Sequence, residues 1–161
     1  MRNGRSPVMS AAGDGRASFR VTVGPSRVIQ EPGMKTVTAA IALRDGKVLL
    51  ARRAAGQSQA GCWEFPGGKL EQGESLQDCL ARELEEELNV AAIVGDVYAE
   101  NIYHYDSGSI RLVGLFTEIP DIPCALNVHD EIEWVPLAHL TMYELAPADI
   151  ALAERLMQDF S

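Results

Sequence analysis

Apolar positions recur along the chain with two different periods. Residues 37–43 and 48–51 are apolar runs on either side of Arg44-Asp45-Gly46-Lys47. Asp-Gly between two β-type runs predicts a hairpin, since both turn residues accept the positive φ that a tight turn demands. A short strand at 62–65 then meets Pro66-Gly67-Gly68, which reads as a turn. From there the period lengthens. Leu76, Leu80, Leu84 and Leu88 recur every four residues, the stripe of a helix with one face against a core. Ser75, three residues before Asp78, is placed to cap that helix, and Asn89 is one of the few non-glycine residues that accept the left-handed conformation where a helix ends. Strands are predicted at 93–104, 110–117 and 132–135. A last helix starts near Pro147, with Ile150, Ala153, Leu156, Met157 and Phe160 on its buried face. Strands mixed with two helices and no internal repeat describe a single α/β domain over residues 34–161.

Residues 1–33 are of another kind. Arg2, Arg5, Arg16, Arg20 and Arg27 stand against only Asp14 and Glu31, small polar residues fill the gaps, and no helical period is sustained. Such a stretch buries too little apolar surface to offset its ordering entropy and reads as a disordered or tag-like extension. Weak alternation from Phe19 to Val23 is the exception, compatible with an edge strand.

Charge divides the same way. The 161 residues carry a formal net charge of −9, from 14 basic and 23 acidic side chains. With the extension set aside, 9 basic residues face 21 acidic ones. That balance weighs against a nucleic-acid polymer as partner. No apolar run approaches the roughly 20 residues that span a bilayer. Cys62, Cys79 and Cys124 are odd in number and widely spaced, giving neither a zinc pattern nor a disulfide framework, so they suit a reducing cytoplasm as small apolar residues. His104, His129 and His139 lack metal-ligand spacing and read as loop or surface residues.

The chemistry concentrates in Arg82-Glu83-Leu84-Glu85-Glu86-Glu87. At about 100° per residue, Glu83, Glu86 and Glu87 share one arc of the helix while Glu85 points away. Glu83 and Glu87 form a like-charged (i, i+4) pair that costs an isolated helix a few tenths of a kcal/mol. Carboxylates gathered beside an apolar stripe are natural ligands of a hard divalent cation, Mg²⁺ or Mn²⁺. A solvated acidic face is the plainer alternative, and the surrounding loop decides against it. Gly68 is followed by five residues and Glu74, seven more and Arg82, then Glu83, Leu84, one residue, Glu86, Glu87, one residue, Asn89 and Val90. This spacing resembles the Nudix box, Gly-x5-Glu-x7-Arg-Glu-U-x-Glu-Glu-x-Gly-U with U bulky and apolar. Only Asn89 departs from it, at a position where Asn tolerates the backbone that Gly adopts.

The resemblance implies an α/β/α sandwich with a mixed β-sheet and a loop–helix–loop site that hydrolyses a nucleoside diphosphate linked to another group. On this sequence it implies Glu83, Glu86, Glu87 and the Gly67 carbonyl as metal ligands and Arg82 paired with Glu74 to orient the loop. Glu83 is the expected acceptor of the water proton. Hydrolysis of a diphosphate calls for charge neutralisation and an aligned water more than for covalent chemistry. MutT-like relatives commonly carry a further glutamate before a late Trp. Here Val128 holds that place before Trp134, with Asp130 and Glu131 as the nearby substitutes.

Three further segments resemble the MutT-like (d)NTP pyrophosphohydrolases, including the branch acting on CTP and the 8-oxo-dGTP diphosphatases: Arg52-Arg53-Ala54, the run from Gly61 to Lys69, and Leu145-Ala146-Pro147-Ala148-Asp149. They imply Arg53 and Lys69 as phosphate contacts and Asp149 as the base reader, although an acid in the first turn of a helix is equally a residue favoured there by the dipole. Phe65 and Trp63 offer a stacking surface for a base, against the commoner role of strand aromatics as core. An ionised Asp suits an exocyclic amino group, whereas a protonated one also donates, which keeps 8-oxoguanine in view. The expected activity is Mg²⁺-dependent cleavage of a canonical or damaged (d)NTP to the monophosphate and pyrophosphate, in nucleotide-pool sanitation. ADP-ribose-type relatives carry a proline about 15 residues past the box, and none occurs between Val90 and Pro120. Tyr103 and Tyr105 keep a dinucleoside polyphosphate open as substrate. A non-catalytic nucleotide-binding module is expected to lose box acids, and Glu74, Glu83, Glu86 and Glu87 are all present.

Overall fold

A computed structural model describes residues 8–10, 17–20, 33–120 and 126–160. Two short strands, β1 (Val8–Ser10) and β2 (Ala17–Arg20), come from the Arg-rich extension and pair with each other. The expected edge strand therefore falls slightly earlier than Phe19–Val23; the remainder of that segment, like Cys124, lies outside the described residues.

The apolar run at 37–43 divides. β3 (Met34–Ile41) joins one sheet, and β4 (Leu43–Arg44) turns into a hairpin with β5 (Lys47–Arg53) in another. The turn has Asp45 at φ 50° and Gly46 at φ 75°, the paired positive values anticipated from Asp-Gly. After β6 (Trp63–Glu64) and α1 (Leu76–Leu88) come β7 (Ile93–Tyr105), β8 (Gly108–Glu118), β9 (His129–Pro136), a short 3-10 helix (Leu137–Met142) and α2 (Pro147–Phe160). The first sheet runs β1-β2-β7-β8-β3 and is antiparallel except for the parallel β3–β8 pair. In the second, β5 is the hub, pairing antiparallel with β4, β6 and β9.

Consecutive strand residues feed opposite faces, and both faces are buried. Ala39, Ile41, Val48 and Leu50 pack with Ala148, Leu152, Ala153 and Leu156 of α2. Their neighbours Ala40, Ala42 and Leu49 pack with Leu76, Leu80, Leu84 and Leu88 of α1. An α/β/α sandwich results. Ser75 caps α1 by accepting from the Asp78 N–H at 3.0 Å, and Asn89 closes it at φ 59° with its N–H on the Glu85 carbonyl. In α2 the buried face keeps Ala153 and Leu156 of the expected set, with Met157 packed against it, but is rotated from the rest. Ala148, Asp149, Leu152, Ala153 and Leu156 are inside, whereas Ile150 and Phe160 are exposed. No helix among the described residues is long and apolar enough to cross a membrane.

Candidate active site

The site is built on the free edge of β3. Backbone hydrogen bonds run from Ala40 N–H to the Pro66 carbonyl (2.7 Å), from Thr38 N–H to Gly68 (2.8 Å) and from Leu70 N–H to Thr36 (2.9 Å). They lay the loop after β6 alongside β3 like an added strand. The closeness explains both glycines. A Cβ on Gly67 would lie 2.0 Å from the Thr38 carbonyl oxygen, and one on Gly68 would lie 2.3 Å from the Glu83 carboxyl carbon.

Arg82 ties the loop to the helix. Its guanidinium grips Glu74 through two hydrogen bonds (2.7 and 2.9 Å) and reaches Glu83 at 2.9 Å, Glu86 at 3.2 Å and the Lys69 carbonyl at 3.2 Å. Glu74 also accepts from the Glu71 N–H. The Arg82 hydrogen bond holds the Glu74 carboxyl below its ordinary range. The expected Glu74–Arg82 pairing is thus present, and Arg82 engages two more box acids besides.

A cleft of about 730 Å³ opens beside this loop. Gly67, Gly68, Glu83 and Glu87 line it, together with Lys69, Arg53 and Asp149. Glu86 does not; its side chain is 59% exposed and is turned to Arg82. Among the described residues the acidic side chains form no ready-made cage around a single ion. The three-carboxylate convergence inferred from helical spacing is therefore looser than expected, because the Arg82 fork draws Glu83 and Glu86 toward itself. Glu87 is half-buried, with one carboxyl oxygen fully inside. That oxygen has no hydrogen-bond partner among the described residues, and burial, followed by the nearness of Glu83 and Glu64, pushes the Glu87 carboxyl up to about 8. An orphaned buried oxygen beside Glu83 and the glycine cradle is a donor set that suits a hard divalent cation.

At the other end of the cleft, Trp63 N–H donates to the Glu144 carbonyl and Ala146 N–H to the Trp63 carbonyl, both at 2.8 Å. This stitching brings the start of α2 against β6. Asp149 is buried there, one carboxyl oxygen accepting the Phe65 N–H at 3.1 Å. Burial and the adjacent Glu64 push its carboxyl well above the ordinary range. The Phe65 ring, expected as a stacking surface, is 2% exposed in the core and does not line the cleft; only its backbone takes part. Trp63 packs edge-on against Tyr143.

On β5 the two arginines divide as strand alternation predicts, whereas expectations on β9 shift. Arg52 lies on the outer side, paired with Asp130 at 2.7 Å and Glu131 at 3.2 Å. Those two acids are thereby committed away from the box, and neither lines the cleft in place of a glutamate at Val128. Arg53 faces the cleft and binds Glu64 at 2.6 Å. Glu64 was missed from the sequence, and so was His129, which is buried rather than superficial, with its Nε2 3.8 Å from Glu64. A charged residue between Trp63 and Phe65 was the available signal for Glu64. For His129 no sequence signal existed, since its placement depends on a register shift between Arg52 and Arg53. His104 and His139 are exposed, as expected. Tyr105 lines the cleft, where its hydroxyl accepts from Gln59 at 3.4 Å.

Comparison with known proteins agrees with this geometry. The NUDIX domain family matches residues 34–158. The CTP pyrophosphohydrolase of Escherichia coli K12 is 44% identical over 127 residues, covering 77% of this chain and 92% of that protein. The 8-oxo-dGTP diphosphatase of Haemophilus influenzae is 31% identical over 115 residues, covering 71% and 84%. The crystal structure of the MutT protein from Methanosarcina mazei Go1 superposes with a TM-score of 0.70 at 26% identity, covering 81% of this chain and 98% of that one. With the family matched across most of the chain and the box built as loop, helix and left-handed cap, the chain belongs to the Nudix family of hydrolases.

Proposed function

We propose that this chain is a Mg²⁺-dependent nucleoside triphosphate pyrophosphohydrolase that converts CTP, a modified cytidine nucleotide or an oxidised dNTP to the monophosphate and pyrophosphate, clearing the cytoplasmic nucleotide pool. The observation that carries this reading is one cleft holding three chemistries: box carboxylates Glu83 and Glu87, cations Lys69 and Arg53, and the buried carboxyl of Asp149. Glu83, Glu87 and the Gly67 carbonyl would hold the cation, with Glu86 at the rim. A bound divalent cation supplies charge neutralisation of the polyphosphate. Lys69 and Arg53 add charge-assisted hydrogen bonds to the phosphates and so fix which phosphorus faces the attacking water, here the β-phosphorus. The box carboxylates are the groups within the cleft able to take that water's proton.

Asp149 sets the base. Held toward its protonated form by burial, it presents both a donor and an acceptor. That pair matches cytosine N3 and its exocyclic amine, and also the O6 and N7–H edge of 8-oxoguanine. The names of the two relatives above fit these two bases. A dinucleoside polyphosphate is the second reading, favoured by Tyr105 in the cleft lining.

The test is a panel of canonical, oxidised and methylated (d)NTPs, ADP-ribose and a dinucleoside polyphosphate, with Mg²⁺ or Mn²⁺ and analysis of the released phosphates. Turnover of a cytidine or 8-oxoguanine triphosphate to monophosphate and pyrophosphate is expected. No turnover of any triphosphate overturns the reading.

A further inference from the structure

His129 is 4% exposed, and neither ring nitrogen has a hydrogen-bond partner among the described residues. An imidazole stripped of water with both nitrogens unpaired is costly unless something nearby claims it. Its surroundings are specific. In the β5–β9 ladder His129 stands opposite Arg53, just past the register shift that follows Arg52, and it does not line the cleft. Its Nε2 lies 3.8 Å from Glu64 Oε1, the same oxygen that Arg53 holds at 2.6 Å. Glu64 is in turn close to two further acids, Glu87 on α1 and Asp149 on α2.

Arg53 is thus committed to Glu64 at the moment a polyphosphate would need it. Moving Arg53 toward a phosphate strips Glu64 of its cation and leaves a carboxylate among Glu87 and Asp149. A displacement of about 1 Å carries the His129 N–H into hydrogen-bond range of Glu64. We propose that His129 is a positioning residue that takes over Glu64 from behind as Arg53 turns to the substrate phosphates, so that the exchange does not leave Glu64 unpaired. The inference rests on the reading of Arg53 as a phosphate contact.

Steady-state kinetics of His129→Leu and His129→Gln with CTP and with 8-oxo-dGTP test it, alongside calorimetric titration with inorganic pyrophosphate and Mg²⁺. The leucine variant is expected to raise KM and the pyrophosphate Kd roughly three- to tenfold, with kcat within about twofold of the parent. The glutamine variant, which retains an N–H donor, is expected to recover most of the loss. Unchanged KM and Kd in the leucine variant overturn the inference, as does equal impairment of both variants. Should the leucine variant not fold, ¹⁵N NMR of the parent protein reads the same event, because the His129 imidazole N–H signal is expected to move downfield when pyrophosphate binds. A signal that does not move overturns it. Absence of triphosphate turnover by the parent protein counts against the proposed function alone, since the pyrophosphate titration and the imidazole signal report on Arg53 and His129 without catalysis.

Discussion

At the residue scale, adjacent glycines have different jobs. Gly67 faces backbone: its missing Cβ would sit 2.0 Å from the Thr38 carbonyl oxygen, which the β3 ladder holds in place. Gly68 faces a side chain, the Glu83 carboxyl, which is free to rotate away. Gly67→Ala is therefore expected to lower the thermal midpoint sharply. Gly68→Ala is expected to fold normally yet lose turnover about 10²-fold, through displacement of Glu83. A midpoint near the parent value for Gly67→Ala contradicts the first assignment, and full activity of Gly68→Ala the second. The Arg82 fork gives a pH signature. Glu74 titrates below its ordinary 4.5 in the folded protein. A depressed carboxyl contributes stability that is present above its unfolded pKa and is lost as pH falls through the lower folded value. Melting the parent and Glu74→Gln between pH 7 and 3 should show the parent more stable at neutral pH and the gap closing in acid. A gap that is constant with pH means the ion pair contributes nothing.

At the scale of the element, α1 was legible almost to the residue, because its signals are local. Four leucines at one spacing, a Ser cap and an Asn terminator act within a turn or two of themselves. Leu84→Ala should cost about 3 kcal/mol in denaturant melts, the usual range for a fully buried leucine. Asn89→Gly should preserve or slightly raise stability, whereas Asn89→Ala should cost about 1 kcal/mol, since only the latter puts a Cβ without local hydrogen bonding at φ 59°. Equal midpoints for the two would mean that the left-handed cap is not what ends the helix. What the sequence concealed depends on partners far away in the chain. The run at 37–43 is apolar on both faces, so periodicity could not reveal where it passes from one sheet to the other. In α2 the wheel of apolar residues pointed to Ile150 and Phe160. Asp149 instead faces inward to take the Phe65 N–H, 84 positions away, and rotates the buried face onto Leu152. The site divides the same way. Glu74 and Arg82 are joined within one motif, while Glu64 and His129 meet only through the pairing of β6 and β9 with β5.

At the scale of the whole molecule, the two hydrophobic clusters and the acidic cleft are separate stabilising systems. Leucines from α1 and α2 close the sandwich on either side of the sheets, and neither cluster includes a box carboxylate. The fold should therefore stand without a cation, and chelation should abolish turnover without unfolding. The residues from 34 onward nevertheless carry an excess of acids, and Glu87 adds a buried oxygen that nothing among the described residues satisfies. A cation binding there binds the folded state alone and stabilises it by mass action, about 1.4 kcal/mol at tenfold above its dissociation constant. For a domain of this size that is a rise of roughly 3 to 6 °C in midpoint. General screening of the acidic surface would also stabilise, so the measurement compares MgCl₂ with NaCl at equal ionic strength. The parent protein should gain the increment only with Mg²⁺, and the Glu83→Gln/Glu87→Gln double variant should gain the same with either salt. If both proteins respond alike, the cation acts on the surface charge as a whole, and Glu83 and Glu87 lose their assignment as ligands.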